Sequence, residues 1–417
     1  MKTLFNKIVI EFLVATLVIT LFPSFTLKAS AATAKNETIW QGATIDMGTG
    51  YKEEGDTIVK AGCISACVYV YDEGTNLRLH ITNEFGTKPL KLTHIYVARV
   101  RKADEVIMPS TLTELTVGGS KGVTVPAGGS VWTDYGKISF QYNNKIEYFL
   151  FSNESFNLKT MCGEFRHIKR FNQNDPDKLF NNYRPQKAEL LNYGFCGIPF
   201  MDNIQTRTAK RKSAFLFFGD SQTTMSFPER VGDRLKSMDM TDTVLLTDAI
   251  AGNALTHDSI YARHGSKGID RFKAFLDRYS DYDIKGVFIM IGSNDILFSG
   301  RYAIGKEVTT DQSLESAYQE MIRLCHRSGI KVYMGTIIPF KNSINSSDRA
   351  LALRETINTW IRSNADLDGI VDPGVMLRDM NDRECLADAF DSGDHIHQND
   401  LGDQVIAGAI PLSWIIE

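Results

Sequence analysis

Residues 215–225 read FLFFGDSQTTM, so four large apolar residues run without interruption into Gly219, Asp220 and Ser221. A short apolar run stopped by a glycine is the pattern of a strand buried on both faces. Four more such runs follow: TVLLTDAI from Thr243, GVFIMIG from Gly286, KVYMGTIIP from Lys331 and GIVDPG from Gly369. Between them lie helical patterns, GIDRFKAFLDRY (268–279), SLESAYQEMIRLCHRSG (313–329) and ALALRETINTWIRSNA (350–365). The last stretch, from Asn399 to Ile415, opens on an Asn-Asp cap signal and predicts a final helix that Pro411 ends or bends. Apolar strands alternating with helices mean a parallel sheet covered on both faces, here an α/β domain of five strands over 212–417.

Upstream the period changes. NLRLHITN (76–83) alternates Leu77, Leu79 and Ile81 with polar neighbours, and KLTHIYVARV, LTELTVGG, GVTVPAGG, KISFQYNN and KIEYFLFSN follow at short intervals punctuated by glycine and asparagine. This is the signature of an antiparallel β-sandwich over 37–202, joined to the α/β domain by the basic connector TRTAKRKS (206–213). With 417 residues the chain is long enough for two such domains.

The first residues carry a different message. Lys2 and Lys7 precede an apolar run, Phe12 to Phe22, which Pro23 and KASAATA (28–34) follow, with Ala29 and Ala31 at small-residue cleavage positions. We expect a signal peptide over 1–31 and an exported protein, secreted or associated with the cell wall, with no stable membrane insertion after cleavage. The uninterrupted apolar run is shorter than the roughly 20 residues that a spanning helix needs. A net charge of −4 leaves no basic surplus for phosphates, so nucleic acid is not an expected partner. Six cysteines across so long a chain do not make a stapled miniature fold, and Cys63 and Cys67 fit either a local bridge or two buried thiols.

In an open parallel sheet, sites gather at the carboxyl ends of the strands. Ser221 falls at the end of the first apolar run, Gly252 and Asn253 (AIAGNAL) after the second, and Asn294 and Asp295 (IMIGSNDI) after the third. Near the C-terminus, DSGDHIHQND puts Asp394 three residues before His397. A serine hydroxyl becomes a nucleophile when an imidazole takes its proton, and the imidazole works best when a carboxylate holds its tautomer. Attack on an ester creates an oxyanion, for which the Ser221 and Gly252 N–H groups and the Asn294 amide are candidate donors.

These blocks, Ser221 in GDS, Gly252, Asn294 in GSND, and Asp394 with His397, resemble those of the SGNH, or GDSL-type, hydrolase superfamily. The likeness extends to LRLHITNEFGTKPLKL, VTVPAGG, GIDRF, INTWIR and FDSGDHIHQND, which are similar to the secreted bacterial branch that joins a jelly-roll-like β-sandwich to an SGNH domain and includes xylanolytic-system esterases. The resemblance implies a three-layer α/β/α domain, a triad of Ser221, His397 and Asp394, an oxyanion hole from Ser221, Gly252 and Asn294, and neither metal nor other cofactor. It leaves the substrate open. Where the branch continues GDS with Ile-Thr-Asp-Gly, this chain has Gln222, Thr223, Thr224 and Met225, and Ala251-Gly252-Asn253 replaces Gly-Gly-Asn. Gln222, Asn253 and His395 are therefore candidate substrate-binding residues.

Other features read as bystanders. GGSKG (118–122) matches a nucleophile elbow, but strand patterns flank it on both sides, so Ser120 belongs to a hairpin turn. Asp391, Asp394, His395 and His397 lack an open-coordination metal motif such as H-E-x-x-H. Asp220 and Asp295 are expected to brace their loops, His257 and His264 to be solvated loop histidines or, alternatively, to line the cleft, and Trp40 and Trp132 to be core, while Tyr135 and Tyr142 are candidates for stacking on sugars. Asp382 and Glu384 are close acids in a loop. The reading is an exported serine esterase that removes short acyl groups, O-acetyl above all, from an acylated polysaccharide or small ester. The alternatives are a lipid or lysophospholipid acylhydrolase and, from another class, a noncatalytic polysaccharide-binding protein on a hydrolase scaffold.

Overall fold

The computed structural model describes residues 34–47, 58–162, 167–191 and 197–416. The expected signal peptide lies outside them. The five apolar runs form one parallel sheet of β1 (Ser213–Gly219), β2 (Thr243–Ala249), β3 (Ile284–Met290), β4 (Lys331–Gly335) and β5 (Gly369–Val371), in the order β2-β1-β3-β4-β5. Each pair is parallel, with Gly219 opposite both Ala249 and Met290. The helices of five residues or more in this part are α1 (Phe227–Ser237), α2 (Gly268–Arg278), α3 (Ser293–Leu297), α4 (Asp311–Arg327), α5 (Asp348–Ser363) and α6 (Asp400–Ala409). Right-handed crossovers put the β1–β2 connection on one face and the later ones on the other. Accordingly α1 packs against α6, whereas α4 packs against both α2 and α5. Local sequence sets the helix ends: the Thr310 hydroxyl accepts from Ser313 N–H at 3.1 Å to start α4, and the Asn399 side-chain Oδ1 accepts from Leu401 N–H and Gly402 N–H to start α6.

The β-rich part is antiparallel throughout. One sheet orders strands 35–41, 201–208, 74–82 and 130–132, with 136–140 also on 74–82, and the other orders 189–191, 168–171, 62–70, 144–152, 94–100 and 113–115. Leu77, Leu79, Ile81 and Ile204 from the first meet Ile64, Val68, Ile146, Tyr148 and Leu150 from the second in one apolar core. KIEYFLFSN did not alternate because its outer face is buried too: Phe149 and Phe151 join Cys63, Cys67, Phe171, Leu179 and Tyr183 under the short helix Pro176–Asn181. The one acid on that strand, Glu147, is fully buried and bonded to the Ser65 hydroxyl (2.7 Å), Tyr183 hydroxyl (2.8 Å) and Lys169 Nζ (3.1 Å).

Cys63 and Cys67 settle as buried thiols. They stand four residues apart on strand 62–70, about 13 Å at the strand rise, beyond the roughly 7 Å that a disulfide tolerates. Sandwich and parallel sheet meet closely. Tyr71 and Tyr142 sit in the α/β core, Lys212 pairs with Asp72 at 2.7 Å, and the Tyr282 hydroxyl accepts from Thr38 N–H at 3.1 Å. Among the described residues no helix is long and apolar enough to cross a membrane.

Candidate active site

Ser221 lies on the turn between β1 and α1, at the carboxyl edge where the strand order reverses. The turn is tight because Gly219 lacks a side chain: a Cβ there would run into the Thr223 hydroxyl and the Met290 carbonyl. Asp220 is fully buried and braces the turn, its Oδ1 accepting from Gln222 N–H (3.0 Å) and its Oδ2 from the Ser293 hydroxyl (2.8 Å) and the Asn294 amide (3.2 Å). Burial outweighs these bonds and pushes its pKa up to about 6. Thr223 donates to the Met290 carbonyl at 3.0 Å and Thr224 to the Ser221 carbonyl at 2.8 Å. The departures after GDS are thus spent inside the turn.

His397 arrives from a loop 176 residues downstream, its Nε2 2.7 Å from Ser221 Oγ. Its Nδ1 lies 2.6 Å from Asp394 Oδ2, while Asp394 Oδ1 accepts from the N–H groups of Ile396 (3.0 Å) and His397 (2.9 Å). Burial opposes the Asp394 charge, but the His397 bond and charge and these N–H groups together hold its carboxyl below the usual range. A hydroxyl, an imidazole and an ionised carboxylate in one line can move a proton from serine to histidine. His395 takes a left-handed backbone (φ 61°) and pairs with Asp391 at 2.6 Å instead. The four side chains once weighed as a metal set are therefore two separate pairs.

Opposite Ser221, Gly252 and Asn294 line the same cleft. The Ser221 and Gly252 N–H groups donate to no acceptor among the described residues. Gly252 has φ 78°, and a Cβ there would come within 2.5 Å of the His264 ring. The Asn294 amide is shared between Asp220 and the Asn253 carbonyl (3.0 Å). Asp295 anchors the wall by accepting from Leu255 N–H (2.7 Å) and Thr256 N–H (2.9 Å).

The three residues expected to contact substrate, Gln222, Asn253 and His395, do not line the cleft. Gln222 is buried and its amide donates to the Ile396 carbonyl at 3.3 Å, while its own carbonyl accepts from Gln398 at 2.8 Å, so it ties the serine turn to the histidine loop. Asn253 is also buried, its amide donating to the carbonyls of His264 (2.6 Å) and Ser266 (2.7 Å). The histidines expected to be solvated are buried: His257 stands 3.8 Å from Asp295, and His264 forms part of the cleft wall. Trp132 is only half-buried, with Arg78 over its ring at 4.3 Å and His80 against it at 4.7 Å. Tyr135 is covered by Arg78 and Arg207, and Tyr142 is buried, so neither offers a free face to a sugar. Trp40 is core, Ser120 is exposed on its turn, and Asp382 and Glu384 both pair with Lys341.

The cleft holds about 500 Å3. Its apolar side is Leu297, Phe298, Tyr302, Ile344 and Ile396, and its other side is Tyr261, Arg263 and His264. Apart from His264, sequence reading passed over these loop residues because none carries a periodic or motif signal. It also passed over Arg271 of GIDRF, which is buried beneath the site and donates to the carbonyls of Gly219 (2.9 Å) and Asp248 (3.0 Å) and to Asn253 Oδ1 (3.2 Å).

Residues 217–405 match the model of the GDSL-like lipase/acylhydrolase family. No curated protein matches the chain. Among solved structures it is similar to a GDSL-like lipase from Bacteroides thetaiotaomicron (15% identity, TM-score 0.36, 48% of this chain and 87% of that one). It is similar to an acetyl xylan esterase (22%, TM-score 0.37, 47% and 96%). It is also similar to a family two carbohydrate esterase from Clostridium thermocellum in complex with cellohexaose (13%, TM-score 0.36, 91% and 93%).

Proposed function

We propose that the protein is an exported serine esterase that removes O-acetyl groups from polysaccharide, a reading supported by the match of residues 217–405 to the model of the GDSL-like lipase/acylhydrolase family. The observation that carries this reading is the continuous line from Ser221 Oγ through His397 to Asp394, at 2.7 and 2.6 Å. Ser221 Oγ attacks the ester carbonyl carbon as His397 Nε2 takes its proton, and Asp394 keeps the imidazolium oriented. The carbonyl oxygen becomes an oxyanion facing the N–H groups of Ser221 and Gly252 and the Asn294 amide. When the intermediate collapses, the C–O bond to the sugar breaks and His397 returns the proton to the departing alkoxide. Water, deprotonated by the same imidazole, then hydrolyses the acyl-serine and releases acetate.

Export is supported by Lys2, Lys7, the apolar run Phe12 to Phe22 and the small residues Ala29 and Ala31. A polysaccharide ester is supported by the aromatic pair in the cleft, where Tyr261 and Tyr302 meet edge to face at 5.2 Å. A second reading, a lipid acylhydrolase, is favoured by the exposed Ile260, Ile304 and Ile344, since clustered exposed apolar groups suit an apolar ligand. Initial rates of the mature protein on p-nitrophenyl esters from acetate to palmitate, beside acetylated xylan, separate the two. Activity confined to acetate and xylan supports the deacetylase, and a rise with chain length favours the lipid reading. Full activity in Ser221→Ala would overturn the mechanism.

A further inference from the structure

His264 is built into the cleft wall in an unusual way for a loop histidine. It is 5% exposed, and its backbone carbonyl is held by the Asn253 amide at 2.6 Å. The Cδ2–Nε2 edge of its ring lies against Gly252, with both atoms within 2.6 Å of where a Gly252 Cβ would stand. The inner nitrogen, Nδ1, is 3.0 Å from the Ser259 hydroxyl. That hydroxyl accepts from Tyr261 N–H at 3.1 Å and keeps its own hydrogen to give to Nδ1. In the tautomer in which Nδ1 accepts this hydrogen, the ring proton sits on Nε2. Burial, reinforced by the Arg263 charge, lowers the His264 pKa to about 3, so the ring is neutral when the enzyme works.

We propose that His264 is a further catalytic donor of this cleft, its Nε2–H donating to the carbonyl oxygen of the ester as that oxygen becomes the oxyanion beside Gly252. This rests on the serine-esterase reading of the same site and adds to it a donor that the GDSL-type blocks do not contain. Physically it complements Asn294, whose amide must be shared with Asp220 and the Asn253 carbonyl. A neutral imidazole fixed through its inner nitrogen needs no reorganisation as charge develops, which is what makes such a donor effective. It also accounts for Asn253: its amide binds no substrate but holds the backbone of the residue that does.

The test compares His264→Asn with His264→Gln on p-nitrophenyl acetate. Asparagine keeps a polar atom near the Ser259 hydroxyl and loses the outer donor, whereas glutamine extends an amide to the Nε2 position. We expect kcat to fall about 100-fold in His264→Asn with KM within about two-fold, on the scale of removing one oxyanion donor, and to recover to within about 10-fold of wild type in His264→Gln. Thermal melts identify a variant that fails to fold, in which case Ser259→Ala decides, because freeing Nδ1 should lower kcat about 10-fold without touching the cleft. Unchanged kcat in the folded variants, or a loss confined to KM, overturns the proposal. Wild-type activity and its loss in Ser221→Ala test the esterase reading separately, so the two can fail independently.

Discussion

The Arg271 guanidinium donates to the Gly219 carbonyl at 2.9 Å, so a side chain from α2 fixes the last residue of the strand that presents Ser221. The same guanidinium pairs with the buried carboxylate of Asp248 on β2 and lies 4.2 Å over the Phe218 ring. One residue thereby couples the ends of two strands to the second wall of the cleft. Replacing it with methionine leaves Asp248 buried and unpaired, a change that costs about 3–5 kcal/mol. Urea unfolding of Arg271→Met should register that loss, and a variant within 1 kcal/mol of wild type, by the same measurement, would show that the pair is not what holds the two strand ends (roughly the scale of a surface pair).

Asn294 lines the cleft while hydrogen-bonded to Asp220 at 3.2 Å. As an oxyanion donor its loss should appear in the chemical step. Asn294→Ala is expected to lower kcat about 10²–10³-fold with KM little changed. Asn294→Asp should be worse, because it sets a second carboxylate against the buried Asp220. Steady-state kinetics check the first and thermal melts the second.

Burial raises both Asp220 and Asp403 to about 6. Asp403 accepts from Ser226 N–H and from the Gln398 amide, each at 3.0 Å, and these bonds only partly offset its burial. A carboxyl that titrates near 6 when folded and near about 4 when unfolded holds its proton more tightly in the native state. Its contribution to stability is present at low pH and is lost as pH rises through the folded pKa. The share of the unfolding free energy that these two carboxyls supply should therefore decline between about pH 4 and pH 7, and Asp403→Asn should shift the measured slope upward by its part of that decline. Denaturant curves across this window measure it, and an unaltered slope in the variant would exclude Asp403 as a source.

Cys63 and Cys67 are buried thiols whose pKa values burial pushes well up, with Glu147 adding to the effect. Cys325 is raised to about 12 in the same way. Thiolates are the reactive form, so these three should resist a water-soluble disulfide reagent in the native protein and react only on unfolding. Labelling with mass-spectrometric assignment before and after denaturation tests this. Rapid native labelling of Cys67 would mean that the sheet opens locally around it.

The α/β half was legible because each strand is buried on both faces, and continuous burial writes a continuous apolar run: Phe215 to Phe218 and Val287 to Ile291 could be little else. The sandwich strand 74–82 was legible by alternation. Strand 62–70 was not, since GCISACVYV is buried on both sides by the second cluster under Pro176–Asn181, and that cover comes from residues more than a hundred positions away. Trp132 was misjudged for the converse reason. A large aromatic at a strand end looks apolar in sequence, yet its ring serves as the seat for Arg78 and His80 across the sheet.

Sequence alone determined the succession of strands and helices along the chain and the blocks at the strand ends, because each depends on local periodicity or spacing, while the resemblance of those blocks to the SGNH superfamily implied which hydroxyl, imidazole and carboxylate line up. The Asp394 to His397 step could be read as a single turn, and the structure closes it at 2.6 Å. Only the tertiary structure decided what surrounds them. That Gln222 and Asn253 are spent inside the protein, that Arg271 lies beneath the site, and that His264 turns one nitrogen toward Gly252 all follow from which distant loops meet at the sheet edge. Such meetings are set by packing among separate elements, and hydrogen-bond partners chosen by packing leave no mark on the local pattern of residues.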